Sequence, residues 1–298
     1  MYGAENPADR RANDSEERYE RSDGRSCGLQ LGALAGKAAG LHWIVVGNGR
    51  CQVRWCGMYA GLNIGAVIPA HNEEENIGAV VRALLALAEP QGQPLIDEVV
   101  VCDNASSDAT GEQAVLAGAR VVEQPQPGYG IACQTAIAAL PAVDVVLFVD
   151  GDQAFDVRQS VDLLQAIEDG ADIVIGSRVL GTVEPGAMST PQVLGNRVAA
   201  VLIRLLWGRR ITDLGPFRAV RADALRRLDM RDAAYGWTVE MQVKAIQRGM
   251  NMVERPVDTR RRRFGKSKVG GTVRGVVGAS VGILSTILRL RCRGRGPG

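Results

Sequence analysis

The sequence predicts an α/β protein built on a doubly wound, mostly parallel sheet with helices on both faces. Between residues 62 and 258, short apolar runs of strand length alternate with longer segments of helical period, the pattern that crossover connections turn into a parallel sheet. The run Val145 to Val149 is apolar throughout, which is how a strand buried on both faces reads. A further observation points to where such a sheet works. The run Val145 to Val149 ends in Asp150-Gly151-Asp152, two carboxylates at the strand end that faces the ligand crevice of an open α/β sheet.

Taken in order, residues 1–61 are expected to lie outside this domain, as a disordered or non-native extension. The first twenty-six are polar and charged without hydrophobic period, and the apolar stretch from Leu29 to Val46 is broken by Lys37 and His42, against both a signal peptide and a membrane span. Met58, just before the first clear strand, reads as the natural start; mass spectrometry of the native amino terminus tests this. Strands are expected at Ile64–Pro69, Glu98–Cys102, Arg120–Glu123, Val143–Val149 and Asp172–Ile175, with helices at Glu73–Ala88, Asp108–Ala117, Gly130–Leu140 and Val157–Glu168. A strand at Gly215–Val220, a helix at Trp237–Arg248 and a strand at Met252–Pro256 read as a small added lobe. Residues 259–298 form a basic loop and an amphipathic tail.

Composition narrows the chemistry. A chain of 298 residues with 46% hydrophobic content suits one large domain with appendages. Six cysteines without a CxxC pair, and only His42 and His71, argue against a zinc site and a secreted disulfide framework; a reducing cytoplasm fits better. Scarce histidine leaves carboxylates as candidate general bases. The net charge of +2 hides an asymmetry: no Asp or Glu follows Asp258, and the tail from Arg260 holds eleven Lys and Arg, leaving 24 cations against 33 anions before it. Such a tail seeks phosphates, on a nucleotide diphosphate, a lipid phosphate or an anionic membrane surface. Nucleic acid is not expected, with aromatics at 4% and no recognition module.

Asp150 and Asp152 suit a hard cation. Mg²⁺ or Mn²⁺ takes one or two carboxylates and completes its shell with substrate phosphate oxygens, so Asp-x-Asp at a strand end suggests a metal-bridged diphosphate. A solvated turn capping the next helix is the other reading. Three earlier loops add polar groups. In Pro69-Ala70-His71-Asn72-Glu73-Glu74, Asn72 is placed to cap the coming helix and Glu73 sits near its positive end, a pattern that a well-capped helix alone also explains. In the loop from Cys102 to Thr110, Asp103 is placed to accept from a base N–H and Asp108 to cap the next helix. In Gln126-Pro127-Gly128-Tyr129-Gly130, the glycines permit the close backbone approach that phosphate binding needs.

With these residues assembled, the chain from about Ile64 to Lys268 resembles the family 2 glycosyltransferases of GT-A fold, in the dolichol-phosphate mannosyltransferase-like branch. The resemblance rests on Val67-Ile68-Pro69-Ala70-His71-Asn72-Glu73, the segment Asp103 to Asp108, Asp150-Gly151-Asp152, Gly176-Ser177-Arg178, the segment Thr212 to Arg218, the segment Tyr235 to Met241, and the segment Arg263 to Lys268. Where the family commonly has Asp-Asp-Gly-Ser, this chain has Cys102-Asp103-Asn104-Ala105. The resemblance implies that Pro69, Asn72, Glu73 and Asp103 hold the nucleoside and that Asp150 and Asp152 hold the metal on the diphosphate. Arg178, Arg263, Ser267 and Lys268 are assigned to phosphates, while Arg260 to Arg262 read as a solvated basic run. Glu240 resembles the family's catalytic carboxylate, and Asp213 is the second candidate, with a turn role equally open.

The expected function is inverting transfer of a sugar from a nucleotide diphosphate, with Mg²⁺ or Mn²⁺, onto a polyprenyl phosphate at the cytoplasmic membrane face. The added lobe would then serve the acceptor. A soluble hydroxyl acceptor is the alternative, and it would need Glu240 as base. Nucleotidyl transfer gains little support without a triphosphate loop, and a binding module would not need Asp150, Asp152 and Glu240 together. No apolar run spans a bilayer, but Val276–Leu290, flanked by arginines, and Val198–Trp207, carrying Arg204, suit an anionic membrane surface; packing on the core is the other fate of such helices.

Overall fold

A computed structural model describes residues 41–46, 50–55, 61–89, 92–265 and 273–293. The polar first twenty-six residues, Met58, Ser267 and Lys268 lie outside the described residues. Leu41–Val46 (β1) and Arg50–Trp55 (β2) pair antiparallel as a separate two-stranded sheet. Sequence reading assigned no strand there.

The main sheet has seven strands: Ile64–Ala70 (β3), Glu98–Asp103 (β4), Arg120–Glu123 (β5), Val145–Phe148 (β6), Ile173–Ser177 (β7), Arg218–Arg221 (β8) and Met252–Pro256 (β9). Their spatial order is β5-β4-β3-β6-β8-β7-β9. β3 pairs parallel with β4 and β6, β4 with β5, and β7 with β9; β8 runs antiparallel between β6 and β7. The sheet is therefore mostly parallel, as the apolar runs predicted. The two later strands do not form an added lobe. β8 fills the gap between β6 and β7, and β9 extends the far edge, because their backbone groups find ladder partners there.

Among the described residues, eight α-helices flank the sheet: Glu74–Leu85 (α1), Thr110–Leu116 (α2), Tyr129–Ala139 (α3), Ser160–Glu168 (α4), Thr190–Trp207 (α5), Ala222–Leu228 (α6), Trp237–Gln247 (α7) and Val273–Arg293 (α8). Alternate residues of each central strand feed two separate cores. Ala66, Ile68, Val99, Val101 and Leu147 pack with Ile77 and Leu84 of α1 and with Leu163 and Ile167 of α4. Val67, Val100, Val146 and Phe148 pack with Ala132 and Ala136 of α3, Ile203 of α5, Leu228 of α6, Trp237 of α7 and Ile287 of α8. The period of two thus survives as a division between two apolar layers rather than as an alternation of polarity.

α5 starts eight residues before the expected Val198. The Ser189 N–H donates to Gln192 Oε1 at 2.9 Å, Pro191 sits in the first turn, and Gly208 stops the helix with φ 73°. Its first turns carry Gln192, Asn196 and Arg197, which hid them from a reading by apolar period. α6, a short helix after β8, was not foreseen.

Candidate active site

Four strands that run the same way deliver the site residues to one edge of the sheet. β3 ends before Asn72 and Glu73, β4 ends on Asp103, Asp150 lies two residues past the end of β6, and Arg178 follows β7. Ala70 pairs with Asp103 and Val67 with Phe148, so these ends are level.

The loops after β3 and β4 are laced to each other. Glu73 N–H donates to Thr110 Oγ1 at 2.8 Å, Glu74 N–H to Asp108 Oδ2 at 3.3 Å, and Ala109 N–H to Glu74 Oε2 at 3.0 Å. Asn72 does not cap α1. It adopts φ 52°, and its Oδ1 accepts from the Ser107 N–H at 2.8 Å, so the cap comes from the neighbouring loop. Asp108 performs its expected local task, accepting from the Thr110 N–H at 3.1 Å. Asp103 Oδ1 accepts from the Ser106 N–H at 3.1 Å and remains half-buried at the crevice edge.

Asn104, where the chain departs from the family pattern, holds the third loop. Its Nδ2 donates to Gln124 O at 2.9 Å and Gln126 O at 2.7 Å, and its Oδ1 accepts from the Gly128 N–H at 2.8 Å. The glycines of that loop admit a close protein contact. A Cβ on Gly130 would collide with Asp232 O, one on Gly128 with Ala233 O, and the Ile131 N–H donates to Ala233 O at 2.9 Å. Between them Tyr129 reaches the acids, donating from its hydroxyl to Asp150 Oδ1 at 3.2 Å.

Asp152 is buried. Its Oδ1 accepts from the Ala154 N–H at 2.9 Å, and its Oδ2 lies 2.8 Å from Arg262 Nη2. Arg262 Nη1 also donates to Glu73 Oε1 at 2.8 Å. Arg262 is therefore not part of a solvated run: it is half-buried and bridges acids from two different loops. Arg260 and Arg261 are exposed, as expected. Loss of hydration, then the charge of Asp152, pushes the Asp150 carboxyl up to about 7.

Arg178 and Asp213 bind each other. Arg178 Nε and Nη2 donate to Asp213 Oδ2 and Oδ1 at 2.8 and 2.7 Å, and the Arg178 N–H adds a third bond at 2.8 Å. Asp213 is wholly buried. Glu240 is also buried: its Oε2 accepts from the N–H groups of Arg231 and Asp232 at 3.0 and 2.7 Å, and its Oε1 pairs with Lys244 Nζ at 2.8 Å. The two acids proposed as bases are thus bonded within the protein, and neither lines the cavity beside Asp150. Arg263 stacks over the Phe264 ring, 5.7 Å from its centroid. Ser267 and Lys268 are not described.

That cavity, about 710 Å³, has two kinds of wall. One carries Tyr129, Asp150, Asp152, Arg178, Arg261 and Arg262; the other is apolar, from Pro191, Leu194 and Val198 of α5 and Ala279, Ile283 and Leu284 of α8. α8 is tied to the site through the 229–236 loop: Asp232 accepts from the N–H groups of Ala234 and Gly236 at 3.0 Å each, and from Thr286 Oγ1 and Arg289 Nη2 of α8 at 2.9 Å each.

No cluster of three or more metal-ligating side chains occurs among the described residues. Two carboxylates with a guanidinium drawn between the loops still fit a hard divalent ion that takes its remaining ligands from a diphosphate. Sequence reasoning missed Arg262, Asn104, Tyr129 and Asp232, whose partners lie far away in the chain; only Asn104 carried a signal, as a departure from the family pattern.

Comparison with known proteins identifies the family. Over 220 residues the chain is 33% identical to an uncharacterized glycosyltransferase of Mycobacterium bovis, covering 73% of this chain and 94% of that one. It is 31% identical to a dolichyl-phosphate hexose transferase of Haloferax volcanii over 203 residues, 67% of this chain and 84% of that one. A solved structure of glucosyl-3-phosphoglycerate synthase from Mycobacterium tuberculosis with Mn²⁺, uridine diphosphate and its product superposes with a TM-score of 0.61, at 25% identity, over 78% of this chain and 81% of that one. The profile of glycosyl transferase family 2 matches residues 66–229, and with the sheet topology and the acid pair at the end of β6 it establishes that this chain belongs to the family 2 glycosyltransferases and uses a nucleotide sugar.

Proposed function

We propose that this enzyme transfers a sugar, with inversion and with Mg²⁺ or Mn²⁺, from a nucleotide diphosphate onto a polyprenyl phosphate. The observation that carries the reading is the cavity, in which the acid and arginine wall continues into an apolar wall from α5 and α8. A phosphate headgroup on a long isoprenoid chain matches both chemistries. The relative that acts on dolichyl phosphate supports the same class of acceptor.

The acids argue in the same direction. Among the described residues that line the cavity, Asp150 and Asp152 are the only carboxylates, and both are assigned to the metal. A hydroxyl acceptor would need a base, whereas a phosphate acceptor is already an anion at neutral pH. Glucosyl-3-phosphoglycerate synthase, solved with glucosyl-3-phosphoglycerate, is the relative behind the hydroxyl alternative.

In the proposed mechanism the loops after β3 and β4 hold the nucleoside through Pro69, Asn72, Glu73 and Asp103. Asp150 and Asp152 hold the metal, which supplies Lewis-acid stabilisation of charge on the departing diphosphate. Arg262 adds positive charge beside Asp152, and Arg263 and Lys268 are assigned to the phosphates as further cations, with Ser267 as a hydroxyl donor. Asp213 fixes the guanidinium of Arg178 in one orientation at the cavity wall, and Glu240 holds the 231–232 backbone in place.

No helix is long and apolar enough to cross a membrane among the described residues. α5 exposes Leu194, Val198, Val201 and Leu205, and α8 exposes Val277, Val281, Leu284 and Leu288. With Arg204, Arg289 and Arg291 on the same helices, these faces support seating on an anionic, cytoplasmic membrane surface.

The deciding experiment is a donor screen on the full chain with Mg²⁺ or Mn²⁺, recording release of nucleoside diphosphate with and without a short polyprenyl phosphate. Release that requires the lipid phosphate is expected. Release that requires a soluble alcohol instead would overturn the acceptor assignment.

A further inference from the structure

We propose that Arg262 is a resident counter-cation of the donor site, standing where the metal must act and moving to the diphosphate when donor binds, so that metal capture depends on the nucleotide. This rests on the metal and donor assignments above, and not on the identity of the acceptor.

Asp152 has two carboxylate oxygens. Oδ1 is committed to the Ala154 N–H at 2.9 Å, which leaves Oδ2 for a cation, and Arg262 Nη2 sits on it at 2.8 Å. The other terminal nitrogen of the same guanidinium is 2.8 Å from Glu73 Oε1, and Glu73 Oε2 is held by Asn76 Nδ2 at 2.8 Å. Among the described residues, Arg262 is the one side-chain cation bonded to either acid. Arg178, the next cation on the wall, is taken by Asp213.

A divalent ion at Asp152 Oδ2 would stand beside a guanidinium bonded to the same oxygen, and the two cations repel each other there. Metal binding to the free enzyme is therefore opposed by a guanidinium bridge between Asp152 and Glu73 that is partly shielded from water. A nucleoside diphosphate changes the balance. Its oxygens complete the metal's shell and offer Arg262 an anion with the bidentate geometry that guanidinium prefers. The backbone around Arg262 permits the exchange. Arg260 and Arg261 are anchored through their N–H groups to Ala154 O and Glu184 Oε2 at 2.8 Å each, whereas past Arg262 the described segment has one bond, Asn76 Nδ2 to Phe264 O at 3.3 Å. By linkage, whatever the nucleotide contributes to metal affinity the metal returns to nucleotide affinity.

The test titrates Mn²⁺ into the full chain, following free Mn²⁺ by electron paramagnetic resonance, without nucleotide and then with UDP or GDP. It compares wild type with Arg262→Gln, and uses Arg260→Gln, which alters an exposed arginine paired with Asp156, as the surface-charge control. Wild type is expected to bind Mn²⁺ weakly alone and much more tightly with nucleotide. Arg262→Gln is expected to bind Mn²⁺ alone about tenfold tighter or more, about 1.4 kcal/mol, with the nucleotide enhancement correspondingly reduced. Arg260→Gln should match wild type. If Arg262→Gln proves unfolded by circular dichroism, Arg262→Lys, which keeps the charge but loses the bidentate bridge, should show the same change in smaller measure. Unchanged or weaker Mn²⁺ binding in the folded variant overturns this proposal while leaving the proposed reaction standing. Absence of Mn²⁺ binding in every protein, even with nucleotide, overturns both.

Discussion

Glu240 offers the sharpest test, because two readings of one carboxylate predict opposite results. As a general base it would contribute about 10²–10⁴-fold to turnover, and Glu240→Gln would lose that factor with little change in stability. The structure gives it another task. Its side chain is 3% exposed, it holds Lys244 at 2.8 Å, and it accepts both the Arg231 and Asp232 N–H groups. Lys244 also donates to Asp229 O, so lysine and carboxylate together fix the 229–232 turn. Glu240→Ala strands a lysine that is 10% exposed and two backbone donors, a loss of about 3–5 kcal/mol for a broken buried pair. At about 2–4 °C per kcal/mol for a domain of this size, Tm should fall by about 6–20 °C. Glu240→Gln keeps a carbonyl oxygen for the two N–H groups but removes the negative charge that pairs with Lys244 and turns an amide NH2, a donor, toward the ammonium. It should cost about 1–3 kcal/mol and lower turnover by less than about tenfold. Thermal unfolding and nucleoside diphosphate release on the same preparations decide the matter. A Glu240→Gln protein that melts with wild type yet has lost a hundredfold or more in turnover would refute the positional reading.

Asp152→Ala should abolish metal-dependent donor binding, measured by calorimetry with and without chelator; turnover that persists in chelator would remove the metal assignment. Because the Asp150 carboxyl is raised to about 7, the folded metal-free protein keeps a proton that the unfolded chain releases near 3.8. Its contribution to stability is therefore present at low pH and lost as pH rises through about 7, while Mn²⁺ binding strengthens up to that pH and then levels off. Melting scans in chelator and Mn²⁺ titrations at about pH 5 and about pH 8 should move in opposite directions. Leu194→Gln with Leu284→Gln alters exposed residues of the apolar wall, so folding and donor binding should hold. The lipid-phosphate KM should rise about tenfold or more, given about 1.5–3 kcal/mol for each buried leucine; an unchanged KM would place the isoprenoid chain elsewhere.

The gathering of Asp103, Asp150 and Asp152 at one edge of the sheet was legible because its signals are local. Asp103 ends β4, Asp150 and Asp152 lie two and four residues past the end of β6, and the apolar strand itself announces its end. The acids proposed as bases show the limit of that logic. Asp213 sits in a motif that reads equally as turn or base, and only the approach of Arg178, 35 residues earlier, shows which bonds it makes. Gly128 and Gly130 signalled a close backbone approach, yet what approaches is Asp232 and Ala233, about a hundred residues on.

The sequence by itself determined the layered α/β class, the mostly parallel strands and the edge on which the acids gather. Burial on two faces writes a continuous apolar run into the chain wherever it occurs, and helical period writes its own spacing, so both are readable without knowing any partner. Only the tertiary structure decided that β8 turns antiparallel inside the sheet and that α5 and α8 jointly wall the cavity. It alone decided that Arg262, one of four consecutive arginines, leaves solvent for Glu73 and Asp152. Those outcomes depend on which distant groups meet. An arginine in a basic run has the same local propensity whether it faces water or a buried carboxylate, and only the packed chain brings the carboxylate within reach.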